Sequence, residues 1–286
     1  MTASPRRNIL VTGAAAGLGL AITRRLLRQG FGVAMLDMAA HLPEVAASLA
    51  AGRSASLFDT AADVATTSGA ALAFAHADLA DPAQIGPALE RLQQDLGPLD
   101  GLVNNAGIAS HIAPVARMGL AGWQRELDVN LTAPFLLTQA LLPAMVAQGW
   151  GRIVNVSSLA GRGGLYQQAG YSASKSGLLG LTRAVTLEHA RHGITCNAIL
   201  PGLIETVPVG QLPPLIRDDA LSLVPARRTG TPDEVAALVA FLCSDDAAFI
   251  NGAEIEIDGG AHLCQVVLGS TREVLQRRQP IPSRKT

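Results

Sequence analysis

The amino-acid sequence predicts an α/β fold, a doubly wound, seven-stranded parallel sheet with helices on both faces. Two observations carry that expectation. Short apolar or β-branched runs recur at 9–11, 32–36, 71–76, 101–103, 152–156, 195–199 and 254–257. Longer stretches of helical periodicity separate them at 18–29, 83–96, 123–148, 171–192 and 232–243, several with Pro or Gly at their ends. Strands covered on both faces read as continuous apolar runs, and helical crossovers between them enforce parallel pairing. At 286 residues the chain fits one such unit.

After the first run come Gly13, Gly17 and Gly19, then a helix. Lack of Cβ lets backbone amides close on a pyrophosphate there, and the helix dipole adds favourable charge. The second run ends at Asp37, where a carboxylate can accept both hydroxyls of an adenosine ribose and repel a 2′-phosphate. The glycine loop holds no basic residue and no Arg follows Asp37 directly, so the expected cofactor is NAD rather than NADP. The competing reading is that Asp37 caps the next turn. The crossover at 38–77 is longer than a βαβ unit needs, and 52–69 is rich in Ala, Ser and Thr, which predicts an extra surface loop or short helix.

The fourth run closes on Asn104-Asn105-Ala106-Gly107. The two amides suit strand-end backbone groups, and Asn105, Ala106 and Gly107 are small enough to floor a cofactor site. Past the fifth run lie Ser157 and Ser158, which strand alternation sends to opposite sides. Tyr171 and Lys175, four apart, share one helical face, so an ammonium there is expected to lower the phenol's pKa for proton transfer. A small hydroxyl such as Ser158 would fix the substrate oxygen. Lys175 would also hydrogen-bond a nicotinamide ribose. Four prolines between 202 and 231 forbid one regular helix and suggest a mobile flap, its walls drawn from Leu203, Ile204, Val207, Val209, Leu212 and Leu215. His111, Arg162, Tyr166, Gln167 and Gln168 are candidates for a polar rim. His189 and His192, with Glu188, form no metal set, since no further ligands appear at metal spacing.

Composition excludes other classes. Hydrophobic residues make up 49% and charged ones 16%, with no uninterrupted apolar run of the roughly 18 residues that span a bilayer, so the expected setting is cytoplasmic and not membrane. A net charge of -1 offers nucleic acid no basic field. Cys196, Cys243 and Cys264 fit neither a disulfide framework nor a zinc site.

Taken together, these motifs resemble the classical short-chain dehydrogenase/reductase family over residues 7–262. Thr12-Gly13-xxx-Gly17-Leu18-Gly19 is similar to its nucleotide loop, Asn104-Asn105-Ala106-Gly107 to its motif after the fourth strand, and Asp258-Gly259-Gly260 to its closing strand end. The resemblance implies that Asp78 and Leu79 contact adenine. It implies that Pro201, Gly202, Ile204 and Thr206 meet the nicotinamide. It makes Asn130, Ser158, Tyr171 and Lys175 the catalytic tetrad, with Asn130 holding a water in a relay to Lys175 and the spacing to Tyr171 favouring Ser158 over Ser157. Extended and enoyl-reductase branches use glycine or Tyr/Lys spacings that this chain lacks.

The implied protein is a single-domain Rossmann fold over 1–262 with a substrate flap at 202–231 and a basic tail at 263–286. The implied activity is NAD-dependent interconversion of a secondary alcohol and a ketone, metal-free, in a homotetramer or homodimer built through helices 123–148 and 171–192. A rival enzyme reading is an NADPH-type 3-oxoacyl-thioester reductase, against which Asp37 stands. A rival outside catalysis is a nucleotide-sensing binding protein, against which the complete tetrad stands.

Overall fold

The structure is a computed structural model that describes residues 6–52 and 71–263. The expectations for 53–69, for Cys264 and for the tail from 264 lie outside the described residues. Seven strands form one sheet: β1 (Asn8–Thr12), β2 (Gly32–Asp37), β3 (Leu72–His76), β4 (Gly101–Asn104), β5 (Gly151–Val156), β6 (Ile194–Pro201) and β7 (Glu254–Ile257). Their order is β3-β2-β1-β4-β5-β6-β7, and every neighbouring pair is parallel. Strand order reverses at β1, which pairs β2 on one side and β4 on the other. The crevice beyond the carboxyl ends of β1 and β4 is where such a sheet binds ligands.

Alternation along each strand feeds two cores. Ile9, Val11, Val33 and Met35 pack under helices Gly17–Arg28, Leu42–Ala50 and Pro232–Leu242. Leu10, Ala34, Leu36 and Leu102 pack under Pro82–Leu96, Ala133–Gln148 and Ala169–His189. Helix Leu42–Ala50 fills the first part of the long crossover, with Leu42, Val45, Ala46 and Leu49 buried.

Two helical expectations need correction. The stretch 123–148 is not one α-helix: Leu120–Leu127 leads into a π-turn at Asp128–Thr132 and then into Ala133–Gln148. The combined segment Leu120–Gln148 is long and apolar enough, by composition, to cross a membrane, although polar residues interrupt its apolar runs. It is instead laid over the sheet with Leu137, Leu141 and Met145 buried in the core. The helix expected at 171–192 runs Ala169–His189 and tightens into a 3-10 turn at Ala190–His192. In the flap, the prolines divide the chain into helices Val207–Gly210 and Pro214–Ser222. Cys196 and Cys243 are free and buried, and burial pushes both thiols up to about 12, so they stay protonated.

Candidate active site

The nucleotide loop is packed against the end of β4 so closely that side chains are excluded. A Cβ on Gly13 would lie 2.9 Å from the Ala106 Cα, and one on Gly19 would collide with the Gly13 carbonyl. Thr12 fastens the two segments. Its buried hydroxyl accepts the backbone N–H groups of Asn105 and Ala106 at 3.0 Å each, and Asn105 Nδ2 donates to Thr12 O at 2.8 Å. Gly17, by contrast, holds a left-handed φ of 53° and faces open space. Asp37 both caps and anchors: Oδ1 accepts from Ala39 N–H at 2.9 Å, and Oδ2 accepts from Ala15 N–H at 2.8 Å. Each oxygen keeps a second lone pair, so the capping reading and the ribose reading are compatible. A glycine cradle closed to side chains, an acid at the β2 end and an open helix N-terminus suit a nicotinamide dinucleotide.

Next to that cradle, Leu18, Asn105, Gly107, Ile108, Ala109, Ser158, Tyr171 and Lys175 share one cleft of about 490 Å³ with Pro201, Gly202, Leu203, Ile204, Thr206 and Val209. The Ser158 hydroxyl accepts Ala160 N–H at 3.1 Å and, beside Tyr171 in the cleft, favours the ionised form of the phenol. Ser157, the competing serine, is not sent to the opposite side: it lines the same cleft, but the chain has left β5 there and its buried hydroxyl is committed to Lys175 O at 2.8 Å. Lys175 Nζ donates to Val156 O at 2.8 Å and stands 5.7 Å from the centre of the Tyr171 ring. Burial lowers the Lys175 ammonium to about 8. The expected lowering of the phenol is reversed: burial, foremost, pushes Tyr171 above its ordinary value, with Ser158 pulling the other way.

Asn130 is held from both sides. It sits fully buried in the π-turn, where Oδ1 accepts Ile108 N–H at 2.8 Å and Nδ2 donates to Ile108 O at 2.8 Å and to Ser174 Oγ at 3.1 Å. Its amide is therefore a clamp between the cleft wall and the Tyr171 helix, with both N–H groups committed and a second lone pair left on Oδ1.

A family model described as Enoyl-(Acyl carrier protein) reductase matches residues 49–262. The 2-(S)-hydroxypropyl-CoM dehydrogenase 3 of Xanthobacter autotrophicus is 37% identical over 88% of this chain and 95% of its own. The chain belongs to the short-chain dehydrogenase/reductase family. Cis-4-hydroxycyclohexanecarboxylate dehydrogenase of Sinomonas cyclohexanicum is 36% identical over 89% of this chain and 96% of its own. The 3-oxoacyl-[acyl-carrier-protein] reductase MabA of Mycobacterium bovis is 35% identical over 89% and 92%. The crystal structure of a levodione reductase superposes with a TM-score of 0.80 at 33% identity, covering 90% of this chain and 98% of that one. Like these relatives, the protein is an oxidoreductase.

In this short-chain dehydrogenase/reductase, the remaining candidates divide. Asp78 accepts Ala80 N–H at 2.9 Å and pairs with Arg125 at 3.1 Å, which together hold its carboxyl below the usual range; Leu79 is buried. Ile204 is buried and bridged to Gly230, and Glu205, beside Thr206, takes Arg217 and Thr229, so a polar strap closes the flap's base. Several rim candidates are drawn elsewhere. Arg162 pairs with Glu254 and Glu256 on β7, Tyr166 is 86% exposed, Gln167 takes a φ of 60°, and His111 lies against Gly122 and Glu126. Val207 and Leu215 turn to solvent, so of the expected walls only Leu203, Ile204 and Val209 line the cleft. His189 sits 3.5 Å from Glu188, with its ring 6.2 Å from that of His192. Sequence reasoning passed over Thr12 as a site residue and missed Glu126, because only burial reveals either.

Proposed function

We propose that the protein is an NAD-dependent dehydrogenase that interconverts a secondary alcohol and a ketone, with Tyr171 as the acid/base. The observation that carries this reading is the one cleft that gathers Ser158, Tyr171 and Lys175 beside the nucleotide loop. Bound NAD would accept or supply a hydride at the nicotinamide. Ser158 would hold the substrate oxygen, and Tyr171 would exchange the proton with it. Lys175 would offer its remaining N–H groups to the cofactor ribose, while Gly13, Gly17, Leu18, Gly19 and Asp37 hold the other half of the dinucleotide. Its charge would also become the counterion of the phenolate once alcohol oxidation begins.

Apolar walls from Ile108, Ala109, Leu203, Ile204 and Val209 favour a compact, moderately hydrophobic substrate. The names of the hydroxypropyl-CoM and hydroxycyclohexanecarboxylate dehydrogenases and of the levodione reductase point towards secondary alcohols or ketones. MabA keeps the 3-oxoacyl-thioester reductase as a second reading. Exposed Leu120 and Phe135 on the segment Leu120–Gln148 and exposed Leu187 on helix Ala169–His189 support a homotetramer or homodimer, and a cytoplasmic setting is part of the proposal.

The test is separate titration of the purified protein with NADH and NADPH by nicotinamide fluorescence, followed by turnover of secondary alcohols and a short 3-oxoacyl thioester. NADH preference with alcohol turnover supports the proposal. NADPH preference overturns the role of Asp37 and promotes the reductase reading. Tyr171→Phe should abolish turnover and keep NADH binding; near-normal turnover would remove Tyr171 from its role.

A further inference from the structure

Glu126, on helix Leu120–Leu127, is a fully buried carboxylate that none of the roles above uses. Its Oε1 accepts the backbone N–H groups of Ser110 and His111, each at 3.1 Å. Those residues directly follow Ile108 and Ala109 of the cleft wall. Its Oε2 is buried with no hydrogen-bond donor among the described residues, and it lies against the first turn of the Tyr171 helix, where a Cβ on Gly170 would come within 2.5 Å of it. A carboxylate oxygen left without a donor in the interior is costly, so an apolar residue would serve packing better.

We propose that Glu126 is a positioning residue for proton transfer at Tyr171: its carboxylate ties the 108–111 cleft wall to the first turn of the Tyr171 helix and places its charge against Gly170, the residue before the phenol. This rests on Tyr171 being the acid/base. A negative neighbour disfavours phenolate, and Glu126 adds to burial in pushing Tyr171 up. Lys175 Nζ stands 5.7 Å from the Tyr171 ring, while the Glu126 carboxyl lies against Gly170, the residue before Tyr171. The other charged groups nearby are accounted for. His111 Nδ1 is 3.7 Å from Glu126 and half-exposed, Arg125 turns to Asp78, and Asp128 accepts from Gln124. The anion keeps the proton on Tyr171 for delivery to a ketone and moves alcohol oxidation to higher pH.

The chain has two tyrosines, Tyr166 and Tyr171, so a Tyr166→Phe background makes phenolate absorbance a report on Tyr171 alone, independent of turnover. Glu126→Gln keeps the shape and the Oε1 acceptor and removes the charge. The phenolate midpoint should fall by on the order of one pH unit, and the acid limb of the oxidation profile should move with it while KM stays. Gly170→Ala keeps the charge and drives Oε2 off the helix, so KM should rise as the wall loosens. A midpoint and acid limb unmoved in Glu126→Gln overturn the proposal. Should that variant not fold, unchanged KM and midpoint in Gly170→Ala overturn it instead. Near-normal turnover in Tyr171→Phe would sink the acid/base reading, while the phenolate titration would still decide whether Glu126 acts on the phenol.

Discussion

Replacing Lys175 with Met is expected to stabilise the fold while stopping catalysis. Lys175 is 3% exposed, and burial draws its ammonium from 10.5 to about 8. That gap of about two and a half pH units corresponds to roughly 3 kcal/mol held against folding at neutral pH. Met fills a similar volume without a charge but forfeits the 2.8 Å bond to Val156 O, a loss of about 1 kcal/mol, leaving a net gain near 2 kcal/mol. The sign with pH follows from the lowered folded-state value. Below pH 8 the lysine is charged whether folded or unfolded, and the full cost is present. Between 8 and 10.5 the folded protein has shed a proton that the unfolded chain still binds, so wild-type stability rises. Above 10.5 the cost is gone. Urea denaturation of both proteins at neutral pH and near pH 10 measures the difference, which should be large at the first and small at the second. A variant less stable than wild type at neutral pH, or a gap that ignores pH, would refute the reasoning.

Gly19→Ala should displace the nucleotide loop, because the new methyl group meets the Gly13 carbonyl; NADH fluorescence titration should show weakened binding in a protein that still folds. Asn155→Leu should cost about 1–3 kcal/mol in chemical denaturation, since Asn104 Nδ2 and Thr182 Oγ1 lose their 2.8 Å and 2.9 Å partner in a buried chain.

The central strands were legible because parallel strands buried on both faces carry largely apolar runs, the edge strand β7 by its Glu-Ile-Glu-Ile alternation, and the glycine loop because backbone closeness demands Gly wherever a Cβ would clash. The break at Asp128–Thr132 was not, since a π-turn changes hydrogen bonding without changing the apolar pattern. Helix Leu42–Ala50 is short and Ala-rich, with a weaker stripe than its neighbours. The Tyr171–Lys175 pair was visible as a local spacing, but its electrostatics were not, because burial outweighs proximity and pushes the phenol up. Arg162 was misplaced for another reason. Its partners Glu254 and Glu256 lie more than ninety residues away, beyond any local spacing.

The polar groups buried at the carboxyl edge of the sheet explain how an acid/base pair on a helix keeps its aim. Ser157 holds Lys175 O, Lys175 holds Val156 O, and Asn155 holds Thr182, so the end of β5 and the residue after it grip helix Ala169–His189 at three successive positions. Asn104 passes that grip to β4 through Asn155, and Thr12 passes it from the β4 end to the nucleotide loop through Asn105 and Ala106. Asn130 and Glu126 close the opposite side through Ile108, Ser110 and His111. Each link ends on backbone or on another buried side chain, so none can swing away without leaving a donor or acceptor unpaired. The phenol, the ammonium and the cofactor loop therefore move as one body. That shared rigidity is what lets a cleft built from five distant segments present its polar atoms already aligned, with little reorganisation left for the moment of proton transfer.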